Sequence, residues 1–264
     1  MPSELLIAYP HIPLQSLTTT ALALTDSLTT PRTNMITGAR YEYAQPSTSG
    51  TLFSTRYDLG ASNTLAVEYL FVAGAKLAYR QGADRMYVQS WNGVSNTDVV
   101  GRKSLLSGAT FTGPRAEDLM FVTGFNDTIA ASLPSAASRY WDLHIGHSAT
   151  SAAWTVRKAY FGRFFDFGRS PRYPLKQRRY FKNSHNRDAR HSFEITWDGV
   201  TDAKRTEFVN TLGRYADLHP VVLWDSTNVL LNSFRTLHCT MTDISMEPLQ
   251  KDVASITITF EELI

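Results

Sequence analysis

The chain of 264 residues contains one cysteine, Cys239. An intramolecular disulfide and a cysteine-based metal cluster are therefore excluded, and the composition favours a reducing compartment. No apolar run approaches the roughly 20 residues that a membrane-spanning helix needs. The first residues carry an acid instead of the basic segment of a secretion signal. We therefore expect neither membrane insertion nor export.

Catalytic signatures are missing as well. The sequence contains no Gly-x-Ser-x-Gly, no phosphate-binding glycine–lysine loop, no Gly-x-Gly-x-x-Gly and no His-Glu-x-x-His. His144 and His147 are three residues apart, which on a strand places them on opposite faces. The adjacent acids of Glu117-Asp118 and Glu261-Glu262 also face opposite ways on strands. We therefore predict a protein that is not an enzyme and that holds no metal and no cofactor.

The net charge of +2 gives no overall attraction to nucleic acid, but the charge is unevenly spread. Residues 169–190 hold eight Lys or Arg and one acid, interleaved with aromatic residues. Three interpretations are open: a solvated connector, a protein interface, or a single-stranded nucleic-acid site. The proline-rich start favours a tether over a nucleic-acid groove. As an interface, its candidate partner contacts are Arg172, Arg178, Arg179 and Lys182.

From residue 36 to 168 the pattern alternates between strands and turns, and aromatic residues make up 12% of the chain. The nearly continuous apolar run 67–72 predicts a strand buried on both faces. Residues 85–91 predict a strand that ends at the turn pair Asn92-Gly93. Trp141 alternates with Asp142 in a half-buried strand, so we expect Trp141 in the core and Asp142 on the solvent side.

The order of these segments resembles the galactose-binding-like β-sandwich, an eight-stranded jelly roll. The segments that carry the resemblance are an Asp-Leu-Gly turn, an apolar strand, an Arg-Tyr-Trp strand and an aromatic strand, at 54–60, 64–77, 138–145 and 153–168. The resemblance implies an architecture, not an activity. Sandwiches of this type often bind sugar in the loops at one end, so Trp91, Asn92 and Asn96 are possible glycan contacts. Alternatively, Trp91 packs in the core or at its rim.

The last 75 residues form a separate pattern of β-α-β-β-β. Phe193, Ile195 and Trp197 alternate with polar residues in the first strand. Thr201 is placed to cap a helix whose apolar stripe includes Phe208. A short apolar strand at 221–224 and two alternating strands, ending at 255–260, complete the unit. We predict that the terminal strand pairs beside the strand of Phe193 and closes a small barrel.

This pattern resembles the hub domain of tailed-phage tail-tip proteins, the distal-tail and baseplate-hub families. In those families hub domains assemble into rings, and a β-sandwich domain is carried alongside. The resemblance covers Phe193–Trp197, the helix and the terminal strand. Distal-tail proteins usually carry the sandwich after the ring domain, whereas here the sandwich comes first.

The expected fold class is therefore mainly β, a galactose-binding-like jelly-roll sandwich followed by a small α+β hub-like domain with a split-barrel form. The expected division is an arm at 1–35, the sandwich at 36–168, the basic connector at 169–190 and the hub-like domain at 191–264. The arm either packs on its own domain or reaches a neighbouring subunit. The predicted function is a structural virion protein in the phage tail, assembled in the host cytoplasm, with itself and other tail proteins as partners. The alternative is a carbohydrate-binding module that recognises a host glycan.

Overall fold

The computed structural model describes part of the chain. It gives the conformation of residues 4–10, 18–21, 28–30, 45–46, 53–58, 67–73, 85–91, 99–104, 119–123, 138–146, 158–181, 189–213, 220–225 and 236–263. All structural statements below concern these residues.

The described residues are mainly β, as the sequence predicts. The strands of the first half are β1 (Leu5–Pro10), β2 (Thr18–Ala21), β3 (Leu28–Thr30), β4 (Gln45–Pro46), β5 (Phe53–Asp58), β6 (Tyr69–Ala73), β7 (Arg85–Trp91), β8 (Val99–Ser104) and β9 (Leu119–Thr123). The remaining elements are β10 (Tyr140–Gly146), β11 (Lys158–Phe165), β12 (Lys176–Phe181), β13 (Ala189–Thr201), α1 (Asp202–Thr211), β14 (Val221–Asp225), β15 (Thr236–Gln250) and β16 (Val253–Glu262).

The chain divides into two compact units. Unit 1 comprises Met1–Tyr9 with Phe164–Ile264, and unit 2 comprises Pro10–Arg163. This division differs from the predicted one in two ways. The first nine residues of the expected arm belong with the C-terminal part of the chain, and the boundary falls before residue 168. Unit 1 is therefore discontinuous in sequence, and unit 2 is inserted after its first strand.

Unit 1 contains an antiparallel sheet with the strand order β12-β13-β16-β15-β14-β1. The terminal strand β16 lies between β13 and β15, with Phe193 opposite Phe260 and Ile195 opposite Ile258. The predicted β-α-β-β-β order and the predicted pairing of the terminal strand beside β13 are both confirmed. The predicted closure of a small barrel is not found among the described strands, where β12 ends the strand order and pairs only with β13. The basic segment becomes a strand at Lys176.

The core of unit 1 contains apolar residues from every strand of this sheet except β12. Phe193, Ile195 and Trp197 are each at most 1% exposed, which confirms the alternation in β13. Leu5 and Ile7 of β1 join the same cluster, although more than 150 residues separate them from the rest. Burial of such side chains is the main stabilising contribution, roughly 1.5–3 kcal/mol for each large one.

Helix α1 covers the apolar face of this sheet. Thr201 is its N-cap, because the Lys204 amide donates a hydrogen bond to the Thr201 hydroxyl oxygen over 3.4 Å. Asp202 lies in the first turn, where a negative charge favours the helix dipole. Phe208 is fully buried, and its ring lies 5.6 Å from that of Phe165 and 5.3 Å from that of Phe167.

Unit 2 contains a five-stranded sheet with the order β2-β5-β10-β7-β8 and three further antiparallel strands in the order β11-β6-β9. Side chains of the first set contact the second. The Tyr57 hydroxyl donates a 2.7 Å hydrogen bond to the Ala159 carbonyl, and the rings of Tyr57 and Trp141 lie 5.0 and 5.7 Å from the Phe161 ring. The two sheets therefore pack face to face as a β-sandwich.

Strand β10 is more deeply buried than its alternating pattern predicts. Trp141 is fully buried, as expected, and its indole N–H donates a 3.0 Å hydrogen bond to the Ser138 carbonyl. Asp142 was expected on the solvent side, and this prediction is wrong, because the residue is also fully buried. A charged partner on the neighbouring strand, Arg56, makes that burial tolerable.

Candidate interaction surface

The sheet of unit 1 has one apolar face, under α1, and one polar face. The polar face carries the residues that alternate with the core positions. Thr196 and Thr257 join β13 to β16 there through hydroxyl groups 2.9 Å apart. The face includes Lys176 and Arg178 of β12, Glu194 and Asp198 of β13, Asp243 and Glu247 of β15, and Ser255 and Glu261 of β16.

A β-bulge interrupts strand β13 on this face between Trp197 and Val200. Asp198 and Gly199 together lie opposite a single residue of β16, Ser255. Gly199 has a φ angle of +72°, a left-handed conformation that glycine adopts without steric cost. Asp198 lies 2.8 Å from the Ser255 hydroxyl, which donates a hydrogen bond to it. A side-chain anion is therefore held in place on the polar face.

The basic segment 169–175 is attached to this bulge. Arg172 donates two parallel hydrogen bonds to Asp198, from Nε and Nη2, each 2.7 Å long. The Arg172 backbone N–H also donates a 2.7 Å bond to the Thr196 carbonyl. Arg169 donates more weakly, over 3.4 Å, to the Asp198 carbonyl. The start of the predicted connector is thus fastened to the sheet by charge-assisted contacts.

The electrostatics of the bulge follow from this pairing. Arg172 holds the pKa of Asp198 below its ordinary value, with a smaller lowering from the Ser255 hydrogen bond and an opposing effect of burial. The pKa of Arg172 is raised, first by the Asp198 hydrogen bond and to a smaller extent by the Glu247 charge. The pair is solvent-exposed, 63% for the Arg172 side chain and 38% for Asp198. An exposed pair of this kind stabilises a fold only slightly.

The four predicted partner contacts fall in different situations. Arg172 is engaged within its own unit, and Arg178 is exposed on β12 opposite Ser192. Arg179 lies in the same strand, opposite His191, with its side chain outside the described residues. Lys182 lies outside them altogether. Strand β12 also carries Lys176, which pairs with Glu194, and Gln177, which lies 2.8 Å from the His191 ring nitrogen.

The structure does not describe the side chains of the three predicted glycan contacts. Trp91 is the last residue of β7, opposite Tyr140 of β10, and its side chain is not described. Asn92 and Asn96 lie outside the described residues. The glycan site therefore stays a prediction.

A buried ion pair lies in unit 2. Arg56 donates from Nε and Nη2 to the two carboxylate oxygens of Asp142, over 2.8 and 2.9 Å. Arg139, the residue directly before β10, makes the same two-pronged contact with Asp58, over 2.7 and 2.8 Å. Both guanidinium groups also approach the Tyr140 ring, 5.3 Å for Arg56 and 4.7 Å for Arg139. These two arginine–aspartate pairs link β5 to β10 and to the residue before it, so we assign them a structural role.

The described residues offer little for chemistry. Within them, no group of three or more His, Cys, Asp or Glu side chains could hold a metal ion. Cys239 is buried, and desolvation raises the pKa of its thiol, so it is a poor nucleophile. Among the helices in this part of the chain, none is long and apolar enough to cross a membrane.

Comparison with known proteins gives few similarities. No protein-family model matches the chain. No curated protein matches it. One similar solved structure is CBM32-1 from a family 31 glycoside hydrolase of Clostridium perfringens, at 13% identity and a TM-score of 0.37, covering 59% of this chain and 99% of that one. Another is an f-lectin (fucolectin) from the serum of Morone saxatilis (striped bass), at 11% identity and a TM-score of 0.35, covering 96% and 97%. Scores this low carry no argument about this chain.

Two residues of the polar face were not anticipated from the sequence, Asp198 and Ser255. The signal for Asp198 is the Asp-Gly pair at 198–199 inside an otherwise alternating strand, because that dipeptide favours turns and bulges. Ser255 gives no such signal, since it is one of several alternating hydroxyl residues in β16.

Proposed function

We propose that this chain is a non-catalytic structural protein that assembles with further copies of itself. Its place would be the tail tip or baseplate of a tailed bacteriophage, where it would form a ring or hub and contact other tail proteins. Unit 1 would build the ring. Unit 2 would contact neighbouring tail proteins.

The observation that carries the proposal is the exposed, basic strand at the end of the unit 1 sheet. Strand β12 is the last in the strand order, and its residues Lys176, Gln177 and Arg178 are all exposed. The unpaired edge of a strand is a ready template for another chain. Most sheets cover or shorten such an edge, whereas this strand is six residues long and the three of its side chains that the structure describes are all exposed.

The placement in a phage tail rests on the resemblance of the β-α-β-β-β segment to hub domains. Its support from the structure is that the predicted order, the helix cap and the position of the terminal strand are all found in unit 1. The hub identity goes beyond these features. Unit 2, the sandwich, is inserted after β1 of unit 1. The sandwich therefore precedes most of the proposed ring domain in sequence.

The rival function is a carbohydrate-binding module. Both solved structures named above are described as sugar-binding proteins, but their TM-scores are too low to transfer that property. The rival rests instead on the aromatic and amide residues predicted at the end of β7, above all Trp91.

Light scattering coupled to size-exclusion chromatography, electron microscopy and a glycan array separate the two functions. The assembly protein is expected to form particles of one defined stoichiometry and to bind no glycan on the array. A monomer that binds one glycan class, and loses the binding in Trp91→Ala, would replace our proposal with the rival. Detection of the chain in purified phage tails by mass spectrometry is the direct test of its location.

A further inference from the structure

The sheet of unit 1 has a second long exposed edge besides β12. Strand β15 pairs with β14 only through Thr236–Cys239, yet it continues to Gln250 along β16. The residues Thr240–Gln250, here called the overhang, therefore pair with β16 on one side and extend past β14 on the other. Seven of its eleven residues are exposed: Thr242, Asp243, Ser245, Glu247, Pro248, Leu249 and Gln250.

The two edges carry opposite charges on the same face. Lys176 and Arg178 alternate along β12 and lie opposite Glu194 and Ser192 on the polar face. On the overhang, Asp243 pairs in register with Thr259, and Glu247 with Ser255, which are also polar-face residues. A sheet that continued from one edge onto the other would place these cations beside these anions.

The same two edges also carry exposed apolar side chains. Tyr173, three residues before β12, is 67% exposed, and Leu249, on the overhang, is 50% exposed. Ile244 and Met246 of the overhang are only partly buried against the core. Large apolar and aromatic side chains beside a polar rim are typical of protein–protein interfaces.

We propose that β12 of one copy pairs with the overhang of a second copy. The proposal rests on the proposed self-assembly and names the surfaces that perform it. Because the two edges are different, each copy would still have one free edge after pairing. Such head-to-tail contacts form a closed ring if the rotation between copies closes, and a filament if it does not.

Charge makes this pairing selective. Two β12 edges would bring Arg178 near its own equivalent, and two overhangs would do the same for Asp243. Like charges opposite each other destabilise a strand pair, whereas opposite charges stabilise it. The bulges at Met241/Asp243 and Pro248/Gln250 further restrict which strand can pair with the overhang. These features oppose random edge-to-edge aggregation and leave the unlike pair favoured.

A charge swap tests the pairing on the full-length chain. Arg178→Glu and Asp243→Arg should each weaken self-association at least about tenfold, because like charges would then meet at the contact. The double variant R178E/D243R should regain most of the association. Sedimentation velocity over a range of concentrations measures the effect. Arg205→Glu and Glu207→Arg, matched charge changes on α1, serve as controls and should associate like the wild type.

Backbone amides provide a second measurement that does not depend on side-chain charge. On assembly, hydrogen exchange should slow in β12 and in the overhang, because their outward N–H groups become bonded. The tip of the β15–β16 hairpin, Lys251-Asp252, should show no such change.

Folded single variants that associate like the wild type would overturn the proposal, as would a double variant that stays weak. A monomeric wild type at the highest soluble concentration would overturn it too. None of these results tests the proposed location in a phage tail. Mass spectrometry of purified tails tests that location separately.

Discussion

The two units of this protein each contain a bidentate arginine–aspartate pair, and the two pairs lie in opposite environments. Arg56–Asp142 in unit 2 is buried, with side chains 11% and 0% exposed. Arg172–Asp198 in unit 1 is exposed, at 63% and 38%. The distances are nearly the same, between 2.7 and 2.9 Å. Identical geometry therefore does not imply an identical role.

The two pairs differ in their access to water. A buried charge must have its partner, because neither ion can be rehydrated without opening the core. An exposed pair can exchange its partner for water at little cost. We infer that the Arg56 pair fixes how β5 and β10 lie together in unit 2, whereas the Arg172 pair orients a surface segment that leads into the edge strand β12.

The largest effect is expected from removing the central strand of unit 1. Truncation after Val253 deletes nearly all of β16, which lies between β13 and β15 and supplies Ile256, Ile258 and Phe260 to the core. Unit 1 should then fail to fold. Circular dichroism and solubility measure this, and amide exchange should still show protection in β5 and β10. Removal of Ile264 alone is the control, and a soluble, assembled truncation would contradict the strand order.

The next largest effect is expected at the buried ion pair. Asp142→Ala leaves the Arg56 guanidinium without its buried counter-charge and should cost about 3–5 kcal/mol of the free energy of unfolding. Urea denaturation measures the loss. The double variant R56M/D142L removes both charges and should recover much of the stability. If Asp142→Ala unfolds at the wild-type urea concentration, the pair is not desolvated in solution.

The sequence indicates local features of the two units well and long-range ones poorly. Alternation in β13 and β16 and the cap at Thr201 involve neighbouring residues, so the pattern itself contains the information. The placement of β1 beside β14 joins residues that are more than 200 positions apart, and no local period reveals it.

The roles of the charged residues are also poorly predicted by the local sequence pattern. Asp142 looks like the outward position of a half-buried strand until its partner on β5 is known, and Arg172 looks like a free interface cation until Asp198 is placed beside it. A charged residue's role depends on what faces it across a sheet, and period-2 alternation does not report that. The sequence therefore shows that residues 169–190 are basic, but it does not show which of these residues bind within the unit and which remain exposed.

A smaller effect is expected at the bulge of unit 1. Gly199→Ala should cost about 1–2 kcal/mol, because an L-residue is strained at its φ of +72°. The added methyl group would also meet the Arg169 guanidinium. Gly168→Ala is the matched control, since its φ is +70° and its surroundings are open. The difference between the two losses, from chemical denaturation, isolates the displacement of Arg169. Equal losses would show that Arg169 moves aside freely.

The smallest effect is expected at the exposed pair, and it depends on pH. The folded-state pKa of Asp198 is depressed by Arg172, so the pair contributes stability above the ordinary pKa of an aspartate and loses it as the pH falls through the folded value. Arg172→Ala should lower the Tm by no more than about 2 °C at neutral pH. The difference from wild type should shrink as the pH falls through the folded-state pKa of Asp198, because below it the carboxylate is protonated in both proteins. Melting curves across this range measure it. A large loss at neutral pH, like that of Asp142→Ala, would mean that the segment from Arg169 to Leu175 is part of the fold of unit 1 and not a surface attachment.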